Sequence, residues 1–222
     1  MNLCLFDLDH TLLPLDSDHE FGEFLIRVGL ADGTTYRQQN DEFYRQYCDG
    51  TLILGDYIHF TTSVWRQLDA PAQAALQQRF MAEVIQPAIH PQALALVERH
   101  RDMGDLLAIV TATNEFVTQP IAHAFGVDDL IAVKLVRDAQ GRVTGEIDGV
   151  PSFREGKITR VAQWLEQRGQ ALSDFDRVSF YSDSPNDLPL LEQATDPVAT
   201  NPSPALEAEA RARGWRLLNL FS

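Results

Sequence analysis

The chain has 222 residues, with 18 Lys+Arg against 32 Asp+Glu and a formal net charge of −14. At about 150 residues per domain, that length fits one large domain or one domain carrying an insertion, and a composition of 45% hydrophobic and 23% charged residues excludes a disordered chain. No apolar run approaches the roughly 20 residues of a membrane span, and the acidic balance argues against a nucleic-acid backbone or an anionic membrane as partner.

Residues 2–8 form a short apolar run that reads as a buried strand. Ser17-Asp18-His19-Glu20 reads as a capping box, with Phe21, Phe24, Leu25 and Val28 then at helical spacing and Gly29 as the stop. Further helices are predicted near 36–47, 55–67 and 71–86, with turn signals at Gly33, Gly50 and Pro71, and no strand is expected between 14 and 87. After Pro87 and Pro91 the pattern changes. A helix over 91–103 ends at Gly104, and a strand follows over 106–110. Asn114 caps a helix interrupted by Pro120. Residues 130–136 read as a strand and 142–148 as part of a hairpin. Ile158, Val161, Ala162 and Leu165 mark a helix, 178–181 a strand, and Ser184-Pro185 a helix start. A strand at 196–199, a helix led by Pro204 and a strand at 215–218 finish the chain. Alternating strands and helices require a parallel sheet covered on both faces. The expected fold class is α/β: a Rossmann-like parallel-sheet core over 1–13 and 88–222, interrupted by an all-helical insert over 14–87.

In such sheets ligands bind at the carboxyl ends of the strands. Three strands end in polar residues: Asp7-Leu8-Asp9-His10-Thr11, Thr111-Ala112-Thr113-Asn114, and Ser182-Asp183-Ser184-Pro185-Asn186-Asp187. Lys157, one of only two lysines against sixteen arginines, opens the helix before the last of them. Each feature also has an ordinary explanation. Asp7 and Asp9 could be solvated strand ends, Thr111 a turn former, and Lys157 a surface residue. Asp187 could complete a capping box with Ser184, and Asp16 could serve the helix N-terminus. An EF-hand reading of 7–18 fails because Leu12 stands at the glycine position. Cys4 and Cys48 indicate neither a disulfide framework nor a zinc site. The start MNLCLF lacks the basic residues and cleavage site of a signal peptide, so a soluble cytoplasmic protein is expected.

Together these positions resemble the haloacid dehalogenase (HAD)-like hydrolase superfamily, whose motifs run DxDx[TV], a strand-terminal Thr or Ser, a Lys, then DxxxD. The helical insert looks like the C1-type cap of its phosphoserine-phosphatase-like branch. The segments YSDSPNDLPLL at 181–191 and GRVTG at 141–145, with Gly156-Lys157, are similar to the subfamily IB hydrolases. The resemblance implies a Mg²⁺-dependent phosphomonoester hydrolase acting on a small phosphorylated metabolite. Asp7 would attack phosphorus to form an aspartyl phosphate, and Asp9 would act as general acid and base. Mg²⁺ would be held by the Asp7 carboxylate, the Asp9 carbonyl and Asp183, with Asp187 supporting it. Thr111, the Ala112 N–H, Lys157 and Asn186 would hold the phosphate oxygens. The physics agrees: ionised Asp7 and a phosphate dianion repel unless a hard divalent cation lies between them.

This sequence departs from the pattern at two places. Ser182 replaces the glycine usual before the first Asp of the last motif. The acidic position expected to meet a substrate amino group is Asp16, whereas the arginine expected to meet a substrate carboxylate is Thr61, with His59 and Arg66 nearby. Without that arginine a carboxylate loses a bidentate contact, so phosphoserine is disfavoured. Relatives of the branch act on histidinol phosphate or on lipid-like phosphates, and these residues do not choose between them. The choice is expected to lie with the insert, among Asp16, His19, Arg45, Tyr47, His59, Phe60, Trp65 and Arg66, closing about hinges near Leu13-Pro14 and Gln86-Pro87. His10 borders the site with a structural or gating role as open as a chemical one. Two alternatives stay open: a phosphotransferase using the same intermediate, and a non-catalytic phospho-switch or binding protein. Oligomeric state is not legible.

Overall fold

The computed structural model describes residues 1–221. Strand β1 (Asn2–Phe6) is followed by helices α1 (Ser17–Arg27), α2 (Thr35–Cys48), α3 (Leu54–Thr62), a tight turn at Trp65–Gln67 and α4 (Ala70–Phe80). A π-helical turn at Met81–Ile85 and the short α5 (Gln86–Ala88) lead to α6 (Pro91–Asp102) and β2 (Leu106–Asn114). The chain continues through α7 (Glu115–Ala124), β3 (Leu130–Val133), β4 (Leu135–Arg137), β5 (Val143–Ile147), α8 (Glu155–Glu166) and β6 (Arg177–Ser182). A tight turn at Pro185–Asp187, α9 (Leu188–Leu191), β7 (Asp196–Thr200), α10 (Pro204–Arg213) and β8 (Arg216–Leu218) complete it.

Six strands form one parallel sheet in the order β3-β2-β1-β6-β7-β8. The central β1 is buried on both faces, which is why its sequence is apolar throughout rather than alternating. Its side chains divide by parity. Cys4 and Phe6 join the core under α1, α6 and α7, whereas Leu3 and Leu5 join a second core under α8 and α10. The α/β class with helices on both faces is as expected, and between β1 and α6 the described residues contain no strand. Among the described residues no helix is long and apolar enough to cross a membrane.

Three local features differ from expectation. The apolar run 130–136 is two strands: β3 stays in the main sheet, the chain turns at Lys134, and β4 pairs antiparallel with β5 as a separate hairpin. That run carries no turn residue, so nothing in it signals the break. The hairpin packs on α3 and on the tight turn after it, where Arg66 Nη1 donates to the Thr144 carbonyl at 2.9 Å. Gly145 makes this approach possible, since its φ is +92° and a Cβ there would lie 1.6 Å from Arg66 Nη1. The cap of α1 is Asp16 rather than Ser17: its carboxylate accepts from the Asp18 and His19 amides. β2 runs four residues beyond the expected strand, through Asn114, which caps α7 as its position implies. The helical stretch is tied to α7 by Trp65, whose indole stacks on Phe116 at 3.8 Å.

Candidate active site

The carboxyl ends of β1, β2 and β6 converge. Asp7 leaves β1 with its amide donating to the Tyr181 carbonyl at 2.9 Å, which fixes the backbone against β6. Its Oδ1 accepts from Lys157 Nζ at 2.8 Å, and Lys157 also donates to Asp187, at 2.7 Å to Oδ1 and 2.8 Å to Oδ2. Lys157 is buried at the start of α8. Gly156 lets that start approach the loop before it, because a Cβ there would meet the Pro151 carbonyl at 2.0 Å. Burial alone would drive the Lys157 ammonium down, but the Asp187 and Asp7 carboxylates outweigh it and hold it above its usual range. Ser182 Oγ donates to Asp187 Oδ2 at 2.8 Å.

Thr11 Oγ1 lies 3.0 Å from Asp7 Oδ2 and 3.3 Å from Asp183 Oδ1, and accepts from the Asp183 amide at 3.1 Å. One hydroxyl proton serves only one of those carboxylates at a time. Burial pushes the Asp183 carboxyl well up, helped by the Asp7 and Asp187 charges, and burial also raises Asp7 despite Lys157. Asp187 is pushed up to about 6, first by burial and then by Asp7, with Lys157 opposing. Among the described residues no group of three or more His, Cys, Asp or Glu side chains forms a ready metal cluster. The set that would fit a metal is smaller: Asp7 Oδ2 and Asp183 Oδ1, which Thr11 Oγ1 brings together. All donors are oxygen, which suits a hard cation such as Mg²⁺.

Asp9 faces the same pocket. Its Oδ1 accepts from the Ser17 amide at 2.8 Å and its Oδ2 from Thr113 Oγ1 at 2.8 Å. Burial, then the Asp16 charge, pushes its carboxyl up to about 6, so it can both hold and release a proton near neutrality. Thr111 and Ala112 line the pocket on the β2 side. The Thr111 carbonyl accepts from Ser152 Oγ at 2.6 Å, and its hydroxyl from the Thr113 amide at 3.1 Å.

The structure therefore gathers Asp7, Asp9, Thr111, Ala112 and Asp16 around one pocket, with Lys157, Asp183 and Asp187 packed against Asp7. Asn186 stands outside that lining. Its Nδ2 reaches the Tyr47 carbonyl at 3.4 Å and its Oδ1 accepts from Arg154 Nε at 3.3 Å, while Arg154 Nη2 donates to the Gly50 carbonyl. It thus joins the end of α2 to the sheet side. His10, in a left-handed conformation at φ 56°, is 3.2 Å from the Tyr44 hydroxyl and makes a similar tie. Of the insert residues named from the sequence, Tyr47 lines the pocket; Trp65 is core, and Arg66 holds the hairpin. Asp18, Tyr44 and Tyr57 also line it and were not singled out. Thr113 was named only as part of its strand end, and an alternating strand presenting Thr111 and Thr113 on one face was its available signal.

A family model for haloacid dehalogenase-like hydrolases matches residues 4–192. A histidinol-phosphatase from Neisseria meningitidis serogroup C (strain 8013) is 43% identical over 218 residues, covering 98% of this chain and 98% of that protein. A solved structure of a protein of unknown function from Bordetella pertussis Tohama I is 50% identical, with a TM-score of 0.94 over 99% of both chains. A substrate-bound phosphoserine phosphatase has a TM-score of 0.68 at 17% identity, covering 97% of this chain and 91% of that one, a likeness of fold alone.

Proposed function

The chain belongs to the haloacid dehalogenase-like hydrolases and is a phosphatase, and from that premise we propose that it hydrolyses a small phosphomonoester through an aspartyl phosphate on Asp7, with Mg²⁺ as cofactor. The observation that carries this reading is the pairing of Asp7, held by Lys157 and Thr11, with Asp9, held by Ser17 and Thr113, across one pocket. Residues 14–87 would serve as the cap over a core of 1–13 and 88–222. The protein would act in the cytoplasm on a soluble metabolite.

In the proposed mechanism Lys157 and Thr11 hold the two oxygens of Asp7 and so fix the carboxylate that attacks phosphorus. As the Asp7–phosphorus bond forms and the ester P–O bond breaks, Asp9 gives its proton to the leaving alkoxide. Asp9 then takes a proton from water, whose oxygen attacks phosphorus, and the Asp7–phosphorus bond breaks to release phosphate. Asp9 ends protonated, ready for the next cycle. Asp7, the Asp9 carbonyl and Asp183 would hold Mg²⁺, which when bound neutralises charge between carboxylate and phosphate. Asp187 would act on it only through Lys157 and Asp7, because both its oxygens are engaged by Lys157. Thr111 and the Ala112 amide would receive the non-bridging oxygens.

The full-length likeness to a histidinol-phosphatase makes L-histidinol phosphate the first substrate to test. Purified protein with Mg²⁺ should release phosphate from it, and borohydride reduction of acid-quenched enzyme should convert phosphorylated Asp7 to homoserine. Asp7→Asn should do neither. Full activity in that variant, or no phosphate release from any small phosphomonoester, would refute the proposal.

A further inference from the structure

The sequence holds only two lysines, and the site around Asp7 uses one of them. The other, Lys134, stands at the turn between β3 and β4 and lines a separate cavity of about 390 Å³. That cavity lies between β3, the loop after β5 and α8, and it shares no lining residue with the pocket around Asp7. Arg160 of α8 lines it too. This arginine is only 9% exposed, yet among the described residues its one hydrogen bond runs from Nη1 to the Val150 carbonyl, at 3.0 Å. A guanidinium carries several more N–H donors. Among the described residues neither Arg160 nor Lys134 forms an ion pair with a carboxylate, and nearby Glu115 is taken by Arg137 at 3.7 Å. Burial pulls the Arg160 guanidinium down, and the Glu115 and Asp148 charges do not make up the difference. A buried cation without a counter-ion is costly, and its unmet donors mark a place that something outside the chain completes. Asp148 also lines the cavity, so two cations stand against one carboxylate, a local positive excess in a chain of net charge −14.

We propose that this cavity binds a small oxyanion, a carboxylate or a phosphate, gripped by the Arg160 guanidinium and the Lys134 ammonium. The proposal goes beyond the phosphatase reading and does not depend on it. The guanidinium fork matches two oxygens of one anion, whereas the lysine ammonium adds a point charge on a flexible stem. The side-chain amides of Gln163 and Gln167 bring further donors to the lining. The backbone keeps these parts together: the Asp148 amide donates to the Lys134 carbonyl at 2.9 Å, which joins the turn after β3 to the loop after β5. The cavity is remote from Asp7 but not isolated from it. Arg160 lies one turn after Lys157 on α8. Val150, whose carbonyl Arg160 holds, belongs to the loop of Ser152, whose hydroxyl donates to the Thr111 carbonyl at 2.6 Å. An oxyanion seated on Arg160 would thus bear on two segments that support Asp7 and the end of β2.

The test is an NMR titration of the ¹⁵N-labelled full chain without Mg²⁺. Inorganic phosphate is added in one arm and malonate in the other, each against chloride at equal ionic strength. Without a metal the carboxylates around Asp7 repel an anion, which leaves the cavity as the place that takes it up. At least one oxyanion should shift the Gly149, Val150 and Gln163 amides saturably, with a Kd of about 1 mM or tighter. Saturation by phosphate alone makes the ligand a phosphate, by malonate alone a carboxylate, and by both an oxyanion of either kind. Arg160→Gln should weaken binding about 10- to 150-fold, the range of a hydrogen bond to a charged group. Lys134→Glu, at an exposed position, should weaken it at least about 5-fold by reversing the local charge. Shifts that chloride reproduces, or that neither oxyanion saturates, overturn the proposal, as does an unchanged affinity in either folded variant. The spectrum of each variant shows whether it is folded, and Lys134→Glu decides if Arg160→Gln is not. Failure here leaves the phosphatase reading intact, since that stands on phosphate release from esters.

Discussion

Asp18→Asn is expected to stabilise the ligand-free protein, and by more as pH rises. Asp18 is buried, with its carboxyl pushed up to about 8 by burial and by Asp16 and Asp9, whereas an unfolded aspartate titrates near 4. Below about pH 4 the group is neutral in both states and costs nothing. Between about 4 and about 8 the unfolded chain ionises while the folded one keeps its proton, so stability falls as pH rises through that window, and above it the loss is complete. The slope is about 1.4 kcal/mol per pH unit, giving a ceiling of about 4 kcal/mol at pH 7. Asparagine does not titrate and retains an acceptor for Thr61. At about 2–4 °C per kcal/mol for a chain of this size, the Tm gap should open from near zero at about pH 4 to at most about 8–16 °C at pH 7. Scanning calorimetry of both proteins without Mg²⁺ across the window measures it. A gap independent of pH, or a less stable variant at pH 7, would mean that Asp18 is partnered in the folded state and would refute the reasoning.

Lys157→Met should destabilise by about 3–5 kcal/mol, because it leaves Asp7 and Asp187 buried without their shared cation; urea denaturation decides, and a loss under about 1 kcal/mol would contradict the ion-pair geometry. EDTA should abolish phosphate release and Mg²⁺ restore it, and Mg²⁺ should also raise the Tm of the protein alone by binding the folded state. An activity indifferent to chelation would remove Asp183 from its proposed role. Trp65→Ala should cost about 3–5 kcal/mol through loss of the buried ring stacked on Phe116, and calorimetry with an unshifted Tm would count against that contact as the tie between insert and α7.

The sheet and the motif order were readable in advance because strand-end residues of a parallel sheet must converge, so Asp7, Thr111 and Asp183 meet wherever the strands lie in sequence. What stayed hidden has particular causes. The break at Lys134 lies in an uninterrupted apolar run, and only the partner strand β5 draws β4 out of the sheet. Asp18 sits in the first turn of a helix, where an acid is ordinary; its burial depends on Thr61 and Asn114, far away in sequence. Asn186 was expected on the phosphate, yet the structure turns it toward Tyr47 and Arg154, a contact between two segments that no local pattern encodes. The capping box at Ser17 is a motif match displaced by one residue, because it is the Asp16 carboxylate that accepts from the Asp18 and His19 amides.

The net charge of −14 is not spread without consequence. On the floor of the proposed site, Asp7, Asp9, Asp183 and Asp187 face a single buried cation, Lys157. On the wall, Asp16 and Asp18 face none in the pocket lining. A divalent metal would invert the field at the floor, turning a cluster of carboxylates into a place that receives a phosphate. The acidity that argues against nucleic acid thus becomes, in the proposed reading, the means of collecting the cation that a phosphate ester requires.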